Sequence, residues 1–132
     1  MKRILLSILI IVGFTACEVY YVEPAYDSRS RILGSYDAEE YSETYNDYTN
    51  YPIFIERGYN SDEIFIRNFY GVEISVKAYV DYDRITIYRQ VVNGYEIEGA
   101  GTIYSNSISF HFHAKDLVTN SPTDYCDMTA WR

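Results

Sequence analysis

The stretch GYEIEGAGTIYSNSISFHFHAKD, residues 94–116, writes its own pairing register. Apolar and polar residues alternate on both sides of Ser105-Asn106, the period of a half-buried strand. A two-residue turn there sets Ile103 opposite Ile108, Gly101 opposite Phe110 and Gly99 opposite Phe112. Each glycine then lies under a large ring that covers its backbone. On the other face Glu98 meets His113 and Glu96 meets Lys115, so opposite charges pair across the strands. A slip of one residue would invert every face.

The same arithmetic extends upstream. In VVNGYEI a two-residue Asn-Gly turn would set Ile87 on the wrong face. A three-residue loop, Val92-Asn93-Gly94, avoids this and pairs Val91 with Tyr95, Ile87 with Gly99 and Ile85 with Gly101. A tight turn at Tyr82-Asp83 pairs Val80 with Ile85 and Ala78 with Ile87. A loop at Phe69-Tyr70-Gly71 pairs Ile66 with Ile74, with Arg67–Glu73 and Glu63–Lys77 outside. A turn at Asn60-Ser61 pairs Ile55 with Ile66. Strands are therefore predicted near 51–58, 63–68, 72–81, 84–91, 95–104 and 107–115, with another at 124–131. The first is expected at 33–41, although Ala38, Tyr41, Tyr45 and Tyr48 also fit a helical stripe capped by Asp37. About eight antiparallel strands joined in order form an up-and-down meander, and closing it into a barrel removes its free edges.

Ahead of the domain, Lys2 and Arg3 precede an apolar run, Ile4 to Phe14, that is too short to span a membrane. It has the length of a signal-peptide core, followed by small residues and then Cys17. Phe14-Thr15-Ala16-Cys17 resembles the cleavage site of bacterial lipoproteins, with Phe14 where that pattern usually carries Leu. The resemblance implies removal of residues 1–16 and acylation of Cys17, which anchors the chain to the bilayer without a spanning helix. Residues 17–32 lack periodicity and are read as a flexible tether, with 33–132 as the barrel domain. The stretches GSYDAEEY, EIFIRNFYG, ISVKAYVDYDRITIYRQVVNGYEIEGAGTIY and CDMTAW together resemble small lipoproteins of the Bacteroidota that carry a lipocalin-like domain. That resemblance implies a small all-β lipocalin-like barrel in the bacterial cell envelope, at the periplasmic or surface face of the outer membrane. It carries no catalytic signature.

Composition narrows the partners. Met1–Ala16 holds two basic residues and no acid, so the mature chain carries 9 basic against 19 acidic residues, a charge of −10. So acidic a chain repels phosphate backbones and is not expected to bind nucleic acid. There is no G-x-S-x-G elbow, phosphate loop or spaced Cys/His pair, no pair of acids is marked out for glycoside cleavage, and no cofactor is expected. Cys126 reads as a small buried apolar residue. His111 and His113 share a strand face and, with Glu98, have the look of metal ligands; the face is the outer one, and a surface charge pair is the plainer reading.

Two binding hypotheses remain. In the expected register Arg57, Ile64, Val76, Arg89, Ile97 and Ala114 form one inward row. Two buried guanidiniums need partners. An internal acid such as Glu40 or Asp127 would serve, as would water. So would an anionic ligand such as a fatty-acid carboxylate, held by Arg57 and Arg89 with Tyr95 as a third donor. The second hypothesis rests on the 16 tyrosines. Tyr79, Tyr88 and Tyr104 fall on the outer face, and Tyr41, Tyr45, Tyr48 and Tyr51 crowd one segment, a surface suited to a protein or glycan partner. A ligand carrier would show a hollow barrel with its arginines inside. An accessory subunit would show a filled barrel with exposed aromatics. A hydrolase would show acids or histidines converging in a cleft. Because isoleucines and phenylalanines look sufficient to fill the interior, the chain is read as a non-enzymatic, membrane-anchored interaction or accessory lipoprotein, with the carrier as the alternative.

Overall fold

The structure is a computed structural model that describes residues 27–132. Residues 1–16 and the expected acylation site Cys17 lie outside the described residues. Eight strands follow in order: β1 (Gly34–Ser42), β2 (Asp47–Arg57), β3 (Glu63–Phe69), β4 (Ile74–Asp81), β5 (Arg84–Val92), β6 (Tyr95–Ile103), β7 (Ser107–Asp116) and β8 (Asp124–Trp131). Each pairs antiparallel with the next, and β8 pairs with β1, so the barrel is closed. Residues 36–50 form strand, turn and strand, not helix: alternate burial of Tyr36, Ala38, Glu40 and Ser42 seats β1 between β2 and β8, and residues 43–46 turn the chain into β2.

The β6–β7 register is as expected: Ile103 faces Ile108, Gly101 faces Phe110 and Gly99 faces Phe112. A Cβ on Gly99 would stand 2.4 Å from the Phe112 Cβ and 2.6 Å from the His111 carbonyl oxygen. Only glycine allows that approach. Ile55–Ile66 and Val80–Ile85 also pair as expected.

Two hairpins differ. The β5–β6 connection is the two-residue turn, Val92 opposite Tyr95, with positive φ at both Asn93 and Gly94 as such a turn requires. The face is restored inside the strand, by a bulge between Ile87 and Gln90. Gln90 supports the bulge: its side chain accepts from the Lys77 N–H at 3.0 Å and donates to the Lys77 carbonyl at 2.8 Å. In the β3–β4 hairpin Ile66 faces Val76, not Ile74, and Phe69 faces Ile74. Here Asn68 adopts a left-handed conformation at φ 58°. It is fixed by donating to the Pro52 carbonyl at 2.7 Å and accepting from the Glu73 N–H at 2.9 Å. The expected outer pairs are lost with the shift: Arg67 bonds Glu56 instead, and Glu63 is buried under the β2–β3 turn.

The interior is packed with side chains. Ile55, Ile64, Ile66 and Phe69 are each 0% exposed. The Phe69 ring lies tilted against Phe112 at 4.6 Å and meets Phe110 edge-on at 6.1 Å. Side chains fill a small eight-stranded barrel in this way.

One end is closed by residues 27–32, the last part of the stretch expected to be a flexible tether. A single 3-10 turn, Ser30–Ile32, buries Ile32 in the core. Arg29 donates to Asp27 and to the carbonyls of Asn60 (2.7 Å) and Glu63 (3.1 Å). Tyr36 donates to the Ile32 carbonyl, and Arg132 to that of Leu33. These bonds, with the Arg31 guanidinium donating to the Tyr82 carbonyl, seat the segment across the β2–β3 and β4–β5 turns, the floor of the barrel.

Candidate functional site: the acid-floored mouth

The opposite end is open. The β1–β2, β3–β4, β5–β6 and β7–β8 connections ring a cavity of about 460 Å³. Its depth comes from strand alternation. On β1, Glu40 and Ser42 continue the inward row of Tyr36 and Ala38. On β8, Asp124 and Cys126 continue that of Met128 and Ala130. Closure of the barrel makes β1 and β8 neighbours, with Ser42 opposite Cys126 and Glu40 opposite Met128. Two carboxylates and a thiol thereby converge, their ligand atoms all within 4.8 Å of one another. Glu40 and Asp124 are each 4% exposed.

Hydroxyls hold this cluster. Ser42 donates to one oxygen of Asp124 and Tyr70 to the other. Tyr51, inward on β2, donates to Glu40, with its oxygen 3.3 Å from the Met128 sulfur. Tyr70 reaches the site because the bulge at Asn68 turns Phe69 into the core and sends the next residue to the mouth. Burial pushes the Glu40 carboxyl up, opposed by the Tyr51 hydrogen bond and reinforced by the charge of Asp124. Burial likewise pushes the Tyr51 and Tyr70 phenols up, with Glu40 and Asp124 adding to the effect. The Cys126 thiol is pushed far up by burial and by both acids, so it stays protonated and is a poor nucleophile.

Of the residues expected to bind a ligand, only Tyr95 lies here, half-buried on the mouth and edge-on to Tyr70 at 6.1 Å. Arg57 does not enter the barrel. It sits at the last position of β2, beyond the core, and bonds Asp27 at 3.1 Å and Ser30 at 3.2 Å on the floor side. Arg89 is turned outward by the β5 bulge and bonds Glu96 at 3.0 Å, its side chain 67% exposed. The pair therefore forms no interior anion site. His111 and His113 face separate carboxylates, Asp127 and Glu98, on the outer surface. The tyrosines form separate pairs, Tyr41–Tyr48 at 4.9 Å and Tyr79–Tyr88 at 5.5 Å, with Tyr104 at the floor-side turn. The sequence points to Glu40 only as a partner for arginine and to Tyr51 only as part of a tyrosine surface, whereas Tyr51 is buried against Glu40; it does not single out Ser42, Tyr70 or Asp124. The signal was present: polar residues end the inward rows of both β1 and β8.

Comparison with models of protein families and with curated proteins finds no match.

Proposed function

We propose that the protein is a lipid-anchored, non-enzymatic interaction module of the bacterial cell envelope, held by acylated Cys17 and presenting its mouth away from the bilayer. One observation carries this reading: the chain enters the barrel at the floor, the end opposite the mouth. An anchor at Cys17 then sits on the floor side, and the concave, acid-lined end is the one offered to a partner. The packed interior and the outward arginines weigh against the carrier alternative. The protonated Cys126 thiol supports a role without covalent chemistry.

Two measurements test this. Intact mass of the mature protein from membranes should show acyl chains at Cys17, lost in Cys17→Ser. On vesicles, a fluorophore at Tyr59→Cys, on the floor side, should transfer energy to a headgroup dye more efficiently than one at Tyr45→Cys on the mouth. Both positions are exposed, and the native Cys126 is buried. An unmodified Cys17, or equal transfer from both positions, refutes the reading.

A further inference from the structure

We infer that the floor of the barrel is itself a bilayer-contacting face, seated by its tyrosine-tipped turns in the headgroup region of the membrane that holds the anchor. The inference rests on the reading above for the anchor at Cys17, and it names the surface that the anchor brings to the lipid.

The first observation is where the chain enters. Residues 18–26 separate Cys17 from Asp27, where the floor segment begins. A link of that length reaches at most about 35 Å when fully extended. A strand the length of β1 is itself about 30 Å long. The floor therefore meets the bilayer first, whereas the mouth reaches it only with the link drawn out along the barrel wall. A short link also raises the effective concentration of the tethered face, so a contact too weak to hold a free protein is still occupied.

The second observation is aromatic. Each turn of the floor carries an exposed tyrosine: Tyr59 in β2–β3, Tyr82 in β4–β5 and Tyr104 in β6–β7, at 94%, 83% and 59% exposure. Trp131, also exposed, ends β8 at the same end. Tyrosine and tryptophan pair an apolar body with a polar tip, and they collect where hydrocarbon meets water. The fold does not ask for these rings. Tyr82 stands first in a two-residue turn at φ 54°, a left-handed conformation that strains a bulky side chain and that glycine takes freely. Its ring is held out to solvent at a cost to the turn, which a contact beyond the barrel explains.

The third observation is charge. Arg29, Arg31, Arg57, Arg84 and Arg132 lie at the floor and nearly balance its acids, among them Asp62, Asp81 and Asp83. Arg84 is exposed and, among the described residues, forms no salt bridge, so it is free to meet a lipid phosphate. The turns of the mouth carry Glu43, Asp47, Glu73 and Asp116, with Lys115 beside them. A surface containing anionic lipid repels that end and accepts the floor.

The test anchors the mature chain, residues 17–132, to phosphatidylcholine–phosphatidylglycerol vesicles by coupling the Cys17 thiol to a maleimide phospholipid; Cys126 is buried. The anchor is thereby supplied whether or not cells acylate Cys17. The chain has one tryptophan, so Trp131→Phe combined with Tyr82→Trp places a single reporter on the floor, and with Tyr45→Trp a single reporter on the mouth. Nitroxide is carried on the lipid acyl chain close to the headgroup. The floor reporter should shift its emission to the blue and lose about half its intensity, and the mouth reporter should do neither. Adding Tyr59→Ser and Tyr104→Ser, both exposed turn positions, should remove most of the floor signal without lowering the melting midpoint. An unshifted, unquenched floor reporter on protein that sediments with the vesicles overturns the inference. Equal quenching of the two reporters overturns it, as does a floor signal indifferent to Tyr59→Ser and Tyr104→Ser. A blue shift already complete without vesicles also overturns it, because the chain itself would then cover the ring. Acylation in cells is read from intact mass alone, so the two readings fail separately.

Discussion

Arg29→Met tests the floor, on which the orientation of the mouth depends. The Arg29 guanidinium makes two good bonds to carbonyls across the β2–β3 turn, to Asn60 at 2.7 Å and Glu63 at 3.1 Å, and a long one to Gly58 at 3.4 Å. A hydrogen bond to a charged group contributes about 1.5–3 kcal/mol. The lower figure applies, because the carbonyls are not orphaned by the change. Glu63 O still accepts from the Gly58 N–H at 2.8 Å, and Asn60 O from the Glu63 N–H at 3.1 Å. Two bonds at the lower figure give a loss of about 3 kcal/mol. Methionine keeps most of the apolar stem, so little of the loss comes from packing. For a domain of this size the melting midpoint should fall by roughly 12 °C. The assay is urea and thermal unfolding followed by circular dichroism, with hydrogen exchange at the Ile32 amide, which bonds the Arg29 carbonyl at 3.0 Å. Faster exchange there, ahead of global unfolding, is expected. A loss below about 1 kcal/mol with unchanged exchange would mean that residues 27–32 do not depend on Arg29 for their seat. The assignment of floor and mouth would then lose its support.

Three further outcomes follow from the same structure. Gly99→Ala forces a Cβ to within 2.4 Å of the Phe112 Cβ and 2.6 Å of the His111 carbonyl; overpacking should cost about 3 kcal/mol in urea unfolding, and Phe112→Ala should not rescue it because the carbonyl still blocks. Glu40 binds its proton more tightly folded than unfolded, so its contribution to stability is full below about pH 4.5 and is lost as pH rises through the raised folded value; Glu40→Gln should flatten the wild-type decline in melting midpoint above about pH 4.5. Arg89→Ala should leave the melting midpoint within error of wild type, since Arg89 reaches only Glu96 across an exposed surface, and a marked drop would contradict its outward placement.

The fold was largely legible because alternation and turn length constrain each other. In the β6–β7 hairpin, glycines under phenylalanines leave a single acceptable register. Where the reading failed, the cause was a freedom that hairpin arithmetic does not contain. Parity can be restored in the loop or by a bulge within the strand, and both keep isoleucines inward. At β5 the Asn-Gly pair favoured its own two-residue turn, so the extra residue moved into the strand beside Arg89, where Gln90 could bridge to Lys77. That one displacement carried Arg89 out of the barrel and removed the expected anion site. At β3 the left-handed tolerance of asparagine did the same to the Ile66–Ile74 pair and delivered Tyr70 to the mouth.

The candidate site was illegible for a different reason. Local turns fix the register between consecutive strands, whereas β1 and β8 meet only through closure of the whole barrel, and no turn joins them. Their register follows from the sum of all the hairpins, including both bulges. An error of two residues at one hairpin preserves every inward face yet shifts which residues share a layer. The residues facing inward, including Glu40 and Cys126, can therefore be read from alternation alone. Their convergence cannot. Ser42 opposite Cys126, with Tyr70 arriving from β3–β4, is a property of the closed ring. The acids are tolerated there because the layer lies at the open end, where hydroxyls and the cavity reach them. Deeper in the barrel, among Ile55, Ile64 and Phe69, the same carboxylates would have no donors. The polar tail of each inward row thus marks the end at which the barrel stops being a core and becomes a site.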